Sequence, residues 1–243
     1  MGTNYSPRIV TDNLVMCFDA ADPKSYPRTG NVWKDRSSKA LDATMLASVS
    51  FDSANAGGLL FNGSATSYAF TDYNSDFNMD TNCSIEVIFK SSSSLTGGTD
   101  LRQTLWSNSQ NDSLGLEIGV FTGCGIGGST SDGFRFLMHR QGNCFSAASN
   151  ANAYVQNAVT QFVYTRDGSR NEKMYTNGAE ISLAVENNHT FAAGSSNSYI
   201  GVRGTSLGQK FQGRIYTIKM YTKELSSEEV AQNFNAVRGR YGI

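Results

Sequence analysis

The chain is poor in the residues that metal and general acid–base chemistry draw on most often. It carries two histidines in 243 residues, His139 and His189, too few for a multi-histidine metal centre. Proline is scarce, with 3 residues where an average usage of ~5% gives about 12. Charged side chains make up only 17% of the chain, and 20 basic against 21 acidic residues leave a net charge of −1. That balance provides no electrostatic footprint for nucleic acid or for an anionic membrane. It favours a partner met by shape and polar contacts. No window approaches the ~18 apolar residues of a membrane span. The opening MGTNYSPRIVTDN lacks the basic start and apolar stretch of a secretory signal, and its match to a myristoylation pattern through Ser6 reads as chance. The expectation is a protein made and assembled in a cytoplasm.

Cysteine is sparse too. Cys17, Cys83, Cys124 and Cys144 are widely spaced with no C-x-x-C pair, so the sequence leaves three disulfide pairings open. Cys17 and Cys83 lie in apolar runs, where a free thiol behaves as a small hydrophobe. Cys124 and Cys144 flank a hairpin-like stretch and could meet, but four reduced thiols are expected. Asn4, Asn62, Asn82, Asn111 and Asn188 each head an N-x-[ST] sequon, read here as accidents of an Asn/Ser-rich composition.

What the chain does have is 24 glycines, 11% aromatics and frequent Ser, Asn and Thr, a composition suited to many short strands. Residues 13–19 form an apolar run that can be buried on both faces. Residues 84–90 (SIEVIFK) alternate, with Ile85, Val87 and Phe89 on one face and Glu86 and Lys90 on the other. Phe134, Phe136 and Met138 repeat the pattern, as do Phe162 and Tyr164 after Val159. Asn177-Gly178 between short apolar runs predicts a type I′ hairpin. Residues 199–202 and 214–221 complete the strands. Ser226 with Glu229 forms a capping box, and Val230, Phe234 and Val237 follow on one stripe, so a helix is expected, stopping at Gly239. Residues 91–100 read as a loop inside one domain. Many strands and one closing helix indicate a β-sandwich.

The chemical motifs are thin. Gly123, Gly125 and Gly128 satisfy G-x-G-x-x-G, but a strand and not a helix follows, so a hairpin loop is the reading. Glycoside hydrolysis needs two positioned carboxylates. Glu86 and Glu117 stand alone on strands and are expected to face solvent. No G-x-S-x-G elbow occurs, and both histidines read as structural or solvated. Calcium is the one cation considered, at Asp19 with Asp22, at Asp72 with Asp76 and Asp80, or at Asp132. Turn chemistry explains those acids equally well, so no cofactor is expected. Trp106 reads as core. Trp33, in a polar loop-like segment where packing is again the simpler reading, is the aromatic kept as a glycan-stacking candidate.

Residues 9–27 (IVTDNLVMCFDAADPKSYP) and 32–38 (VWKDRSS) resemble the start of laminin-G-like concanavalin A-type domains, with their Trp-x-Asp-x-Ser segment. LLFNGSATSY (59–68), SIEVIFK and MYTNGAEIS (174–182) are similar to their inner strands. Residues 211–241 reproduce the closure G-x-I-x-x-x-x-[IVM]-Y-x-x-x-L-[ST]-x-x-E-[IV] and its helix. The resemblance implies a jelly-roll β-sandwich of two antiparallel sheets with one short C-terminal helix, as a single domain over residues 13–243 after an arm over 1–12.

Stand-alone copies with this opening and closure resemble structural proteins of tailed bacteriophages. The resemblance therefore implies a non-enzymatic virion protein, a capsid decoration or head-fibre subunit assembled in the host bacterial cytoplasm. Its partner would be a capsid or other virion protein, met through the arm residues Gly2, Thr3, Asn4, Tyr5, Ser6, Pro7 and Arg8. The alternative is a lectin-like adhesion module for a cell-surface glycan, and the sequence leaves open whether copies form a homo-oligomer.

Overall fold

Runs rich in β-branched and aromatic residues, punctuated by Gly, Asn and Asp turns, set the chain up as successive strands. The computed structural model describes residues 7–92, 103–108, 116–121, 135–140, 143–150, 152–191, 194–204 and 207–243. Of residues 116, 117, 120, 121, 135–140 and 143–145 it describes the backbone alone. The first strands are β1 (Leu14–Asp19), β2 (Val32–Trp33), β3 (Ala43–Met45), β4 (Ser50–Asp52), β5 (Gly58–Asn62) and β6 (Ala69–Thr71). Then come β7 (Cys83–Ser91), β8 (Gln103–Ser107), β9 (Leu116–Phe121), β10 (Arg135–Arg140), β11 (Asn143–Ser149) and β12 (Thr160–Arg166). The series ends with β13 (Glu172–Thr176), β14 (Ala179–Ile181), β15 (Leu183–Glu186), β16 (Ser198–Ile200), β17 (Gln212–Tyr221) and one helix, α1 (Ser227–Tyr241). Residues 93–100 of the expected loop, the Gly123/Gly125/Gly128 string, Cys124 and Asp132 lie outside the described residues.

Among the described residues the strands form two antiparallel sheets, as a jelly-roll sandwich requires. One has eight strands in the order β14-β13-β12-β7-β17-β5-β4, with β1 also on β17; the other has nine, β15-β11-β10-β9-β8-β16-β6-β3-β2. Strand β17 is the axis of the first. It pairs with β7 along one side, and with β5 and then β1 along the other. Between the sheets lies the main core, which includes Phe18, Phe61, Val87, Phe89, Tyr164 and Ile218.

Asp35 shows how the Trp-x-Asp-x-Ser segment works. Its carboxylate accepts from the N–H of Cys17 (2.8 Å), Ser37 (2.9 Å) and Leu41 (3.1 Å) and from the Ser37 hydroxyl (2.7 Å). One buried acid thereby satisfies backbone donors of β1 and of the 35–41 loop that burial would otherwise leave unpaired. The Asn-Gly hairpin forms as expected, with Asn177 at φ 49° and Gly178 at φ 80° joining β13 to β14.

The helix departs from expectation. Ser226 and Glu229 make the capping box, but Gly239 stays helical and Gly242, at φ 70°, ends the helix with its N–H on the Arg238 carbonyl. Tyr241 pulls the last turn down onto the sheet, its ring 5.2 Å from that of Tyr216. The buried stripe is Val230, Asn233, Val237 and Tyr241, and Phe234 is displaced to half-buried. With Ile9 and Val10 from the expected arm, α1 covers the outer face of the eight-stranded sheet through two further apolar clusters.

That cover corrects the reading of Glu86. The residue does lie on the face opposite Ile85 and Val87, but this face is under the helix and Glu86 is fully buried. Its carboxylate accepts from Lys219 Nζ (2.7 Å), Gln161 Nε2 (3.2 Å) and Asn233 Nδ2 (2.7 Å). Asn233 Oδ1 in turn accepts from the Val10 N–H at 2.7 Å. Alternation assigned the face; only the helix decides that it is dry. Among the described residues no helix is long and apolar enough to cross a membrane.

Candidate functional site

Trp33 is fully buried, its ring 5.0 Å from Phe18, so neither face of the indole is open to a sugar. The reason is register. In the nine-stranded sheet Trp33, Ala43 and Ala69 on β2, β3 and β6, with Ile200 and Trp106 on β16 and β8, point into the sandwich and are completely buried. The positions one residue away point out: Val32 opposite Thr44, Thr44 opposite Phe70, Phe70 opposite Tyr199 and Tyr199 opposite Ser107. Two more backbone pairings continue this line, Ser107 with Glu117 and Glu117 with His139.

Three aromatic rings therefore collect on the outer face of this sheet. Tyr68, one residue before β6, lies with its ring 6.1 Å from that of Tyr199, and Phe70 lies 6.4 Å from it. All three are half-buried, and Val32 at the sheet edge is 39% exposed. At one end the Ser107 hydroxyl accepts from the Gly204 N–H at 3.4 Å. Half-exposed ring faces can pack against the C–H face of a pyranose while its hydroxyls stay hydrated. Sequence reasoning passed over these residues. The alternation Tyr68-Ala69-Phe70-Thr71 was a visible cue, but Tyr199 joins them through strand pairing across more than a hundred residues.

The arm candidates are only partly placed. Gly2, Thr3, Asn4, Tyr5 and Ser6 lie outside the described residues. Pro7 and Arg8 are exposed, and the Arg8 carbonyl accepts from Gln232 Nε2 of α1 at 2.7 Å. Pro7 lines an open cavity of about 660 Å³ with Arg238 and Arg240 from the last turns of the helix.

The carboxylates are committed elsewhere. Glu172 is buried between the sheets, where its Oε1 accepts from Ser146 Oγ (2.6 Å) and the Tyr164 hydroxyl (2.7 Å). Burial, reinforced by the Glu172 charge, holds the Tyr164 hydroxyl far above its usual range. Arg166 is equally buried; it donates to the His189 carbonyl and lies 3.8 Å over the Phe191 ring. Glu86 and Glu172 thus sit on opposite faces of the eight-stranded sheet, and neither faces solvent. Of Glu117 and His139 only the backbone, in β9 and β10, is described.

Four of the six acids weighed for calcium have protein partners. Asp19 meets Arg240 at 2.8 Å, Asp76 meets Lys39 at 2.6 Å, and Asp80 meets Arg170 at 2.9 Å. Asp22 accepts from the Lys24 N–H at 2.9 Å, as turn chemistry predicts. Among the described residues no group of three or more His, Cys, Asp or Glu could hold a metal ion. Cys17 and Cys83 are free and buried, and burial pushes the Cys17 thiol up to about 11 and raises Cys83 further. Of Cys144 only the backbone, in β11, is described.

The architecture defines a jelly-roll sandwich of two antiparallel sheets. Residues 62–231 match the model of the concanavalin A-like lectin/glucanases superfamily, and the chain belongs to that superfamily. No curated protein matches it. Among solved structures, the binding domain of botulinum neurotoxin serotype D is similar at a TM-score of 0.68 and 12% identity, over 93% of this chain and 52% of that one. A botulinum neurotoxin type C structure, whose cell entry depends on interaction with two ganglioside molecules, is similar at 0.66 and 15%, over 94% and 52%. Trypanosoma rangeli sialidase is similar at 0.63 and 17%, over 95% and 35%. The chain spans about half the length of the toxin chains and a third of the sialidase.

Proposed function

We propose that this chain is a non-catalytic, lectin-like module that holds a glycan on the outer face of its nine-stranded sheet. One observation carries the reading: Tyr68, Phe70 and Tyr199 share a half-exposed patch on that face. The matching face of the other sheet has its aromatics sealed beneath α1, with Tyr175, Tyr216 and Tyr221 all buried. Large aromatics left at a surface are the usual stacking groups of a ligand platform. Superfamily membership supports the reading, as does the likeness to toxin chains, one of which engages gangliosides. The commitment of Glu86 and Glu172 to buried networks supports the non-catalytic half. The test is a glycan array with the wild type and Tyr199→Ala. Binding that falls about tenfold in the variant, with an unchanged melting temperature, is the expected result. Wild-type silence across the array would overturn the reading.

A virion-surface role is the second reading, and the two are compatible. It is supported by the resemblance of the opening and closing motifs to those of tailed-bacteriophage structural proteins. The placement of residues 7–10 along α1 also favours it, because Pro7 lines the cavity with Arg238 and Arg240, and α1 covers the sheet opposite the aromatic face. In this reading Gly2 to Arg8 dock on a capsid or other virion protein, and the sandwich turns its glycan face outward. Mass spectrometry of purified particles tests it, and absence of the chain from particles would sink it.

A further inference from the structure

We infer that the glycan held on this face is uncharged, and that Asp72, with Asn197 beside it, takes the hydroxyl hydrogen bonds that orient it. The inference rests on the glycan-binding reading above and deepens it. Burial alternates along both strands that carry the rings. Ala69 and Thr71 are buried while Phe70 is half-buried and Asp72 exposed; Ser198 and Ile200 are buried while Asn197 and Tyr199 are half-buried. Asp72 and Asn197 therefore lie on the outward side with the aromatic patch. Phe70 pairs with Tyr199 and Thr71 with Ser198, and one further step of that register sets Asp72 opposite Asn197. Two residues along a strand span about 7 Å, so a sugar stacked on the Phe70 and Tyr199 rings brings its hydroxyl edge within reach of both side chains.

Asp72 is the acid of this region that the fold leaves uncommitted. Asp76 and Asp80 are met by Lys39 at 2.6 Å and by Arg170 at 2.9 Å, and Asp42 accepts from the Asp35 N–H at 3.0 Å. The Thr71 hydroxyl donates to the backbone carbonyl of Asp72 at 3.0 Å, not to its carboxylate. Among the described residues no donor or cation reaches that carboxylate, and none engages the Asn197 carboxamide. An ionised carboxylate only accepts, which suits a pair of adjacent sugar hydroxyls, and a carboxamide both donates and accepts. The same charge sets the ligand class. Thr44, Tyr68, Phe70, Asn197 and Tyr199 around it are all neutral, so a sialic acid carboxylate or a sulfate here would meet like charge without compensation. Lys34 offers none, because the register of β2 on β3, continued one step, sets it opposite Asp42.

The experiment is an array of neutral glycans, each matched with its sialylated and sulfated forms, probed with the wild type and three variants. The wild type is expected to favour the neutral member by about tenfold. Asp72→Asn keeps the shape and removes the charge; it is expected to weaken neutral binding about tenfold and to narrow the preference, at an unchanged melting temperature. Asp76→Asn makes the same change in net charge four residues away and is expected to leave the preference intact. Tyr199→Ala is expected to weaken every member. Three results overturn the inference and leave the glycan reading standing: an anionic form bound by the wild type as tightly as its neutral match, neutral binding untouched by Asp72→Asn, or an equal effect from Asp76→Asn. Binding to no member of any set, by protein that melts normally, overturns both.

Discussion

Glu86 and Lys219 meet at 2.7 Å as cross-strand partners on β7 and β17, both buried beneath the closing helix. Two charges taken out of water are costly, and their attraction compensates only where geometry and extra hydrogen bonds are good. Here Asn233 of α1 donates to the same carboxylate, so the ion pair fastens the helix as well as the strands.

Breaking one side of that pair is therefore expected to hurt more than replacing both. Glu86→Ala leaves the Lys219 ammonium buried alone and should cost about 3–5 kcal/mol in urea denaturation. Glu86→Leu combined with Lys219→Met removes both charges and should recover much of the loss. A double variant less stable than the single would contradict this account of the pair.

The hairpin offers a backbone test. Gly178 sits at φ 80°, and a Cβ there would come 2.9 Å from Phe234 Cδ1. Gly178→Ala strains the left-handed turn and pushes on the helix together, so about 1–2 kcal/mol of destabilisation is expected. An unchanged denaturation midpoint would show that the turn relaxes freely.

The two described thiols should be silent. Buried and held above the ordinary thiol range, Cys17 and Cys83 are neutral at pH 8 and poor nucleophiles. Iodoacetamide followed by peptide mass mapping should leave both unlabelled in the native protein and label both in denaturant. Fast native labelling at either position would refute their burial.

Acid should loosen one corner of the sandwich. Burial alone would raise the Asp80 carboxyl, but hydrogen bonds from Arg170 and the Phe191 N–H, with the Arg170 and Arg166 charges, outweigh it and hold it below the usual range. A carboxyl depressed in the folded state stabilises at neutral pH, and that contribution fades as pH falls below about 4. Asp80→Asn should accordingly lower the melting temperature at pH 7 and bring it closer to wild type at pH 3. An equal deficit at both values would assign the effect to packing.

Local signals carried much of the architecture. Alternation located β7 and β12, Asn177-Gly178 located its turn, and Ser226 with Glu229 located the start of α1, because each depends on residues a few positions apart. The helix end escaped, since Gly239 and Gly242 both suit a stop and only the burial of Tyr241 chooses between them. Glu86 escaped for the same kind of reason: its face was readable, but what covers that face comes from residues 147 positions away.

The candidate site divides along the same line. The sequence by itself determined a neutral, strand-rich chain with a capped closing helix, and the aromatic alternation at Tyr68 and Phe70. Tertiary structure alone decided which aromatics face out. Register across β2, β3, β6, β16 and β8 turned Trp33 and Trp106 into the core and set Tyr199 against Phe70 on the surface. Side-chain direction in a strand has a period of two, so its sense is fixed only when the strand finds its neighbours and one face closes over the core.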